Sequence, residues 1–257
     1  MMPVLFIGHG SPMNALLDNP YTRSLAALGA SLPRPAAVLV VSAHWLAEET
    51  LVQCSERPGQ IYDFYGFPEE LYRLRYEPQG SPEFAREASR IVKGNGVRCT
   101  DGWGCDHAAW AVLRHMYPEA DVPVFEMSLN MKLDERAHME RARGLAPMRE
   151  RGVLILGSGN VVHNLRMLGY DPDMEPFPWA ADADAEIAAL LDAGDIEGLA
   201  DFTRAGNPGR LAAPTTEHFL PLLYAAALRE PGENLTYVHT GIQHGSISMR
   251  CCMFARD

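Results

Sequence analysis

The stretch VLFIGHGSPMN, residues 4–14, contains the first predicted strand of the chain. Val4–Ile7 is a short, wholly apolar run, and a run of this length followed by turn residues is typical of a fully buried strand. The run stops at His9, which has a glycine on each side. The stretch therefore predicts a buried strand with an ionisable side chain at its carboxyl end.

Similar apolar runs recur along the chain and alternate with helical patterns. One helical pattern, Ser81–Lys93, opens with a serine followed by proline, a common start signal for a helix. Alternating strands and helices predict a mostly parallel central sheet with helices on both faces. No linker-like stretch divides the 257 residues, so the expected fold class is α/β with a single domain over residues 1–257. The other predicted strands are Ala37–Ser42, Val122–Ser128, Val153–Gly157, Leu235–Thr240 and Ser246–Phe254; the other helices are Ala108–Met116, Asp134–Arg149, Ala181–Leu191 and about 218–228; Leu51–Gly80 and Asn207–Thr216 are predicted surface excursions.

The composition excludes several classes of partner. The formal net charge is −11 and the chain has no run of Lys or Arg, so neither a nucleic acid nor a membrane partner is expected. No apolar run approaches the ~20 residues of a membrane helix, and the N-terminus lacks the features of a secretory signal. Five cysteines without a CxxC pair favour a reduced, cytoplasmic protein whose thiols serve as small hydrophobes. The oligomeric state stays open.

Histidines follow three of the predicted strands. His9 follows the first strand, His44 follows Ala37–Ser42, and His163 follows Val153–Gly157. Ligands of open α/β sheets bind outside the carboxyl ends of the strands, so neighbouring strands would bring these side chains to one place. A single histidine after a strand is most often a hydrogen-bonded structural residue. Several together make a metal site an equally strong hypothesis.

His218 requires a separate argument. Pro221 fits only the first turn of a helix, so the helix is predicted to start near residues 216–218, with His218 at its N-terminus. The helix dipole there disfavours imidazolium and keeps the ring neutral. A neutral imidazole is the form that binds a metal ion.

At this point the motifs resemble a known family, the DODA-type (4,5-DOPA dioxygenase-like) class III extradiol ring-cleavage dioxygenases, which are related to the catalytic subunit of protocatechuate 4,5-dioxygenase. The similarity runs from the first strand to the last. The matching motifs are GHGSPMN (8–14), LPRPAAVLVVSAHW (32–45), IYDFYGFPEELY (61–72), WGCDHAAW (103–110), SGNVVHNLR (158–166) and PTTEHFLPLLY (214–224).

The resemblance implies a non-haem Fe(II) enzyme that cleaves a catechol ring with O2 to a muconic semialdehyde-type product. It implies that His9, His44 and His218 are metal ligands. His163 would be the catalytic acid/base, close enough to the metal to serve as a fourth ligand in some forms. His107 would be a second catalytic residue that touches substrate or dioxygen. Zn(II) could occupy the same site.

The remaining site residues have two interpretations each. Tyr62, Phe64 and Phe67 are expected to wall the substrate, or else to plug the core. Asp63 is expected to accept a hydrogen bond from a metal-bound histidine, as metal sites commonly require. Asp106 could do the same, or could cap the following helix. Related class III enzymes complete a triad with a carboxylate, but the resemblance to the DODA-type motif implies His218 in that place. Adjacent helical residues point about 100° apart, so only one of Glu217 and His218 is expected to face the metal, and Glu217 is the alternative.

Two other functions fit three histidines. A zinc-dependent hydrolase would use a water bound to the same ligands, and a metal- or ligand-binding protein would turn over nothing. Among the remaining histidines, His244 is a candidate for the edge of the site, while His115 and His138 are expected on helix surfaces. Neither the particular catechol nor the position of ring cleavage can be read from the motifs.

Overall fold

One eight-stranded sheet organises the molecule. The computed structural model describes residues 1–92, 97–204 and 207–256. A second, two-stranded sheet pairs β8 with β9. The strands are β1 (Val4–Gly8), β2 (Ala37–Ala47), β3 (Thr50–Gln53), β4 (Val97–Thr100), β5 (Val124–Asn130), β6 (Val153–Gly159), β7 (Asn234–His239), β8 (Ile242–Gln243), β9 (Ile247–Ser248) and β10 (Cys251–Ala255), and the order in the large sheet is β4-β3-β5-β2-β6-β1-β10-β7.

The centre of the sheet is parallel, as predicted. Strands β5, β2, β6 and β1 pair in parallel, and so do β3 and β4. The contacts of β1 with β10, of β10 with β7 and of β3 with β5 are antiparallel. Because β2 and β1 flank β6 on either side, the residues that follow these strands meet at one edge of the sheet.

Helices cover both faces of the sheet, which explains why the strands are continuously apolar. Val4 and Phe6 of β1 pack into the core on one face of the sheet, while Leu5 and Ile7 pack into the core on the other face. This alternation is the period-2 geometry of a strand that is buried on both faces. The helices are α1 (Pro20–Ser31), α2 (Glu69–Arg73), α3 (Pro82–Ile91), α4 (His107–Met116), α5 (Glu135–Arg143), α6 (Ala146–Glu150), α7 (Pro178–Ala193), α8 (Ile196–Asp201), α9 (Asn207–Ala212) and α10 (Leu220–Ala227).

Several predicted elements have different boundaries. The strand predicted to end at Ser42 continues to Ala47, and the predicted final strand divides into β9 and β10. The predicted helix Asp134–Arg149 is interrupted after Arg143, since Gly144 and Pro147 disfavour a continuous helix. The predicted excursions contain β3, α2 and α9, and α1 was not predicted. Lys93, the predicted end of one helix, lies outside the described residues.

The prediction that all cysteines are free thiols is wrong. Cys54 and Cys99 form a disulfide across 45 residues of sequence, whereas Cys105, Cys251 and Cys252 are free and buried. The bond joins residues at the ends of the paired strands β3 and β4. The expectation of a cytoplasmic location rested partly on reduced cysteines, and the disulfide removes that argument. Within the described ranges, no helix combines the length and apolar character needed to cross a membrane.

Candidate metal centre and substrate cavity

The predicted strand-end histidines gather at the edge formed by β2, β6 and β1. His9 directly follows β1, and its backbone N–H donates to the carbonyl of Gly159 at 3.1 Å. His44 lies within β2, two residues beyond the last residue that pairs with β6, Ser42. The strand therefore continues past its histidine, but its pairing with β6 stops where the sequence predicted the strand to end.

His218 joins them from the turn before α10. The helix begins at Leu220, two residues later than the latest predicted start. The carbonyl of His218 accepts the N–H of Asn160 at 2.8 Å, which ties this turn to the residue after β6. The fold thus brings His9, His44 and His218 together from three distant parts of the sequence.

The glycines around His9 serve backbone geometry. A Cβ on Gly8 would lie 2.9 Å from the carbonyl oxygens of Ser248 and Arg250, so the neighbouring backbone can approach only a glycine. Gly10 has φ +62°, a conformation that favours glycine. Gly8 therefore permits a close approach of neighbouring backbone, while Gly10 lines the cavity.

Each of the three imidazoles is held through Nδ1. His9 Nδ1 lies 3.1 Å from Ser158 Oγ, His44 Nδ1 lies 3.1 Å from Asp63 Oδ2, and His218 Nδ1 lies 3.2 Å from Glu217 Oε1. Carboxylates can only accept, and the Ser158 hydroxyl already donates to the carbonyl of Ala108 at 2.7 Å. All three Nδ1 atoms therefore carry the proton, which leaves each Nε2 with a free lone pair.

These free Nε2 atoms face one another. The Nε2 atoms of His9 and His44 are 3.3 Å apart, and the ligand atoms of His9, His44 and His218 all lie within 4.8 Å of one another. Buried His218 Nε2 has no hydrogen-bond partner. Two lone pairs at this distance repel unless a proton or a metal cation lies between them, and histidine nitrogens about 2.0–2.1 Å from one ion are roughly 3 Å apart. The three residues therefore fit a metal ion.

Asp63 links this group to a fourth histidine. Its Oδ1 accepts from Nδ1 of His107 at 2.9 Å and from the backbone N–H of His107 at 3.0 Å, while Oδ2 lies 3.1 Å from Nδ1 of His44. The rings of His44 and His107 are 4.1 Å apart. Asp63 therefore orients two imidazoles at once, and His44, Asp63 and His107 form a second group that could hold an ion.

Burial keeps most of these rings neutral. Burial and the neighbouring histidines lower the pKa of His9 well below its usual 6.5, and burial lowers the pKa of His218 to about 4. Burial likewise lowers the pKa of His107. Burial opposes protonation of His44 too, but its hydrogen bond to Asp63 outweighs this, so the pKa of His44 is raised.

The partner carboxylates stay charged. Burial disfavours the charge on Asp63, but the hydrogen bonds from His107 and His44 outweigh burial and lower the pKa of Asp63. In the same way the hydrogen bond from His218 lowers the pKa of Glu217 to about 2. Glu217, weighed as an alternative ligand from the sequence, is thus a hydrogen-bond acceptor for the histidine beside it.

His163 stands apart from the group of three. Its ring stacks on that of His218, with centroids 3.6 Å apart and planes 8° apart, and burial lowers the pKa of His163 to about 2. It belongs to neither group of described residues whose ligand atoms lie within 4.8 Å. Its ring therefore lies beside the candidate ligands as a neutral base.

A cavity of about 680 Å³ opens over the histidines. Phe64 and Phe67, two of the three aromatic residues that the sequence placed at the substrate, line this cavity. Tyr65 and His244 line it too. The other lining residues are His9, Gly10, Ser11, Pro12, Met13, Asn14, Leu17, His44, Asp63, His107, His163, Leu165, Leu168, Pro172, His218, Gln243 and Ile247.

Two predicted site residues lie elsewhere. Tyr62 is not among the residues that line the cavity: its hydroxyl donates to the carbonyl of Leu74 at 2.5 Å and its ring packs against Trp110. Asp106 occupies the N-cap position of α4, but its side chain makes no capping hydrogen bond there. It accepts from the Ser42 hydroxyl at 2.6 Å, and its backbone N–H donates to Glu126. Tyr62 therefore anchors the loop, and Asp106 supports β2 behind His44.

Sequence reasoning also missed several residues. Ser158 was visible in the SGN motif, but nothing local indicated that it would meet a histidine 149 positions away. Leu17, Leu168 and Gln243 line the cavity from segments without a motif of their own, and Leu165 lines it from the end of the SGNVVHNLR motif. His138, predicted on a helix surface, is fully buried, with Nδ1 3.0 Å from the Tyr224 hydroxyl.

Comparison with known proteins gives consistent results. The family model described as the catalytic LigB subunit of aromatic ring-opening dioxygenase matches residues 5–248. The chain is 43% identical over 252 residues to an Escherichia coli (strain K12) protein named 4,5-DOPA dioxygenase extradiol, covering 96% of this chain and 93% of that protein. A Beta vulgaris protein of the same name is 35% identical over 250 residues, with 95% and 92% covered.

A solved structure supports the likeness in three dimensions. The crystal structure of an uncharacterized protein from Escherichia coli K12 superposes with a TM-score of 0.87 at 38% identity, and covers 99% of this chain and 100% of the other.

Proposed function

The chain belongs to the family of the catalytic LigB subunit of aromatic ring-opening dioxygenases, and on that premise we propose that it cleaves a catechol with O2, using a metal ion held by His9, His44 and His218. It is an extradiol ring-cleaving dioxygenase, an oxidoreductase. Relatives named for 4,5-DOPA indicate the substrate class, a catechol, but not the substituent that this chain accepts. We propose Fe(II) as the working metal, with Zn(II) able to occupy the same ligands.

One observation carries this proposal. Two buried imidazoles and one half-buried imidazole, His44, direct their Nε2 atoms to a common point, and each Nδ1 lies within 3.2 Å of an oxygen of Ser158, Asp63 or Glu217. Three protein ligands that leave positions open are typical of a catalytic rather than a structural metal site. When bound, the iron would lower the pKa values of the catechol hydroxyls and conduct electron density from the ring to O2.

The surrounding residues would handle protons and orientation. His163, neutral and without a hydrogen bond to its ring nitrogens among the described residues, would accept a catechol proton and return it later in the reaction. His107 donates through Nδ1 to Asp63, so its neutral ring presents a lone pair at Nε2 and would accept a hydrogen bond from a catechol hydroxyl. Phe64 and Phe67 would pack on the ring and exclude water.

The decisive measurement is oxygen uptake by protein loaded anaerobically with Fe(II). A panel of catechols should consume O2 and give a yellow, ring-opened product whose identity mass spectrometry establishes. If no catechol consumes O2 while the zinc form hydrolyses an ester or amide, the site is that of a hydrolase. Metal binding without turnover in either form would indicate a binding protein.

Variants separate the two histidine roles. His218→Ala should lose bound metal, whereas His163→Gln should keep metal and lose turnover by roughly 100-fold or more, the usual size of a general acid–base contribution. Metal content is measured by atomic emission and turnover by oxygen uptake. Equal loss of metal in both variants would make His163 a ligand and would remove its assignment as acid/base.

A further inference from the structure

A glutamate lies inside the buried strand β5, behind the wall of the site. Glu126 is 1% exposed, and every residue of β5 is buried. A carboxyl group in a fully buried strand costs free energy unless hydrogen bonds satisfy it. The proposed reaction uses neither this side chain nor that of Asp106, which is also fully buried. The contacts of Glu126 show what offsets the cost.

Both oxygens of Glu126 hold the segment that leads into α4. Oε1 accepts the backbone N–H of Asp106 at 2.9 Å, and Oε2 accepts from the indole Nε1 of Trp103 at 3.2 Å. Asp106 is the N-cap residue of α4, and His107 is the first residue of that helix. The indole of Trp103 stacks on that of Trp45, with centroids 5.3 Å apart and planes 5° apart. Glu126 thus ties the start of α4 to the sheet at two points.

This segment carries the hydrogen bonds that orient two histidines. The backbone N–H and Nδ1 of His107 both donate to Asp63 Oδ1, and Asp63 Oδ2 lies 3.1 Å from Nδ1 of His44. On the other side, Asp106 Oδ2 accepts from the Ser42 hydroxyl at 2.6 Å, and Ser42 Oγ accepts the backbone N–H of His44 at 3.1 Å. A shift of the segment would therefore reach His107 along the chain and His44 through Ser42.

The same segment also fixes the loop that carries Asp63. The backbone of Cys105 donates its N–H to the carbonyl of Gly59 at 2.8 Å and accepts the N–H of Ile61 at 2.7 Å. These bonds hold the chain two residues before Asp63. The carboxylate that orients both imidazoles therefore depends on the segment that Glu126 holds.

One buried oxygen behind the site lacks a donor unless Glu126 supplies it. Oδ1 of Asp106 is buried without a hydrogen-bond partner among the described residues. Burial raises the pKa of Glu126 well above its usual range, and the charge of Asp106 raises it further. Two neighbouring buried carboxyl groups resist ionising together, so Glu126 keeps its proton. Its O–H can then donate to Asp106 Oδ1 while its oxygens still accept from Trp103 and the backbone.

We propose that Glu126 is a positioning residue for ring cleavage: its carboxyl holds the start of α4, and thereby His107 and His44, in the orientation that substrate and metal require. The inference rests on the proposed function, in which His107 accepts from a catechol hydroxyl and His44 binds the metal. Glu126 does not line the cavity and acts only through other residues. Loss of its hydrogen bonds should therefore reduce turnover without removing any catalytic group.

Two substitutions of similar size separate hydrogen bonding from packing. Glu126→Leu removes every hydrogen bond, whereas Glu126→Gln is neutral, accepts through its oxygen and can donate to Asp106 through its amide. With Fe(II)-loaded protein and a catechol, kcat from oxygen uptake should fall by roughly 10–100-fold in Glu126→Leu, the usual cost of losing a group that supports metal ligands. Glu126→Gln should stay within roughly fivefold of the parent, the size of one lost neutral hydrogen bond. A parental kcat in Glu126→Leu, or equal losses in both variants, would overturn the inference.

Glu135→Leu is the matched control for general destabilisation. Glu135 is also buried, at 9% exposed, but it pairs with Arg204 and does not line the cavity. This variant should melt at a lower temperature than the parent and keep a kcat close to the parental value. If it loses kcat as Glu126→Leu does at a similar melting temperature, the loss follows from destabilisation and the inference is overturned.

Two spectroscopic measurements on the full chain, without iron or substrate, decide the question without turnover. Infrared spectra at neutral pH should contain the C=O stretch of a protonated carboxyl, and Glu126→Gln should lack it. Long-range proton–nitrogen correlation spectra should show His107 protonated at Nδ1 in the parent and in Glu126→Gln, but a mixture of tautomers in Glu126→Leu. The His107 signals are assigned by their absence from His107→Gln.

These spectra separate the two proposals. If no catechol reacts with the parent protein, the proposed ring cleavage fails, and the spectra still test whether Glu126 positions His107. Absence of the protonated carboxyl band from the parent, or an unchanged His107 tautomer in Glu126→Leu, would overturn the positioning role whatever the turnover. Both expected spectra together with the loss of kcat in Glu126→Leu would support it.

Discussion

At the scale of single residues, the candidate metal centre depends on what holds each ring. A serine, an aspartate and a glutamate each accept from one Nδ1, and each comes from a different part of the chain. Such partners fix the tautomer and the orientation of a ligand before metal arrives. Asp63 is the most consequential of them because it holds His44 and His107 together.

Replacing Asp63 should therefore weaken metal binding. Asp63→Asn removes the charge and turns one accepting oxygen into a donor that opposes a histidine N–H. We expect a loss of roughly 10–100-fold in affinity for Zn(II) or Fe(II), the usual cost of losing such a partner. Competition with a chromophoric chelator measures it. Asp18→Asn, at an exposed carboxylate paired with Arg23, should bind like the parent protein, and a parental affinity in Asp63→Asn would contradict the assigned contact.

At the scale of secondary-structure elements, a buried histidine joins α5 to α10. His138 on α5 is fully buried with its Nδ1 at the Tyr224 hydroxyl of α10. Its sequence pattern, ERAHMERAR, is strongly charged, so it indicated a solvated helix. The contact with α10 decides otherwise, since α5 buries His138 together with Met139 and Ala142 on the face that packs against the core.

His138 makes stability dependent on pH. Burial lowers its folded-state pKa from 6.5 to about 4. Between these values the unfolded chain binds the extra proton, so the free energy of unfolding rises with pH from about 4 to 6.5, by up to about 3 kcal/mol. Urea unfolding at several pH values should show this rise, and His138→Gln should flatten it. Tyr224→Phe should retain it, since burial is the main cause. An unchanged slope in His138→Gln would contradict the assignment.

The disulfide between Cys54, which follows β3, and Cys99 of β4 is a second stabilising link between elements. Cross-linking a 45-residue separation stabilises a protein by at most about 4 kcal/mol through the entropy of the unfolded chain. Reduction should therefore lower the melting temperature of the parent, and Cys54→Ser/Cys99→Ser should melt low with or without reductant. A thiol titration of denatured protein should count three thiols before reduction and five after it. Five thiols from the start would exclude the bond.

At the scale of the whole molecule, the candidate metal centre connects segments that are otherwise separate. His9 follows β1, His44 lies in β2 and His218 precedes α10, so one ion would cross-link three parts of the fold. Binding to the folded state alone stabilises that state by mass action, about 4 kcal/mol at a thousandfold excess over Kd.

Metal removal should accordingly lower thermal stability. A chelator should reduce the melting temperature of metal-loaded protein by roughly 5–10 °C, given the dependence expected for a chain of this size. The His9→Ala variant should fold but show no response to metal or chelator. Differential scanning calorimetry measures both, and an equal response in His9→Ala would show that the stabilising ion binds elsewhere.

The sequence determined the elements of this fold more firmly than their boundaries. Apolar runs of strand length indicated the central strands, since burial on both faces leaves a continuous pattern that needs no knowledge of neighbours. Histidines after those runs indicated the edge where a site would lie. The Fe(II) assignment and the individual roles came from the family resemblance.

Only the tertiary structure decided which groups meet. Ser158 reaches His9 because β6 and β1 are neighbours in the sheet, a contact over 149 positions that no local pattern records. The bond of Cys54 to Cys99 likewise depends on the pairing of β3 with β4, and only the packed loop shows that Tyr65 lines the cavity while Tyr62 does not. Local sequence indicates which residues are buried and the period at which apolar residues recur. The partners of each residue depend on how the elements pack.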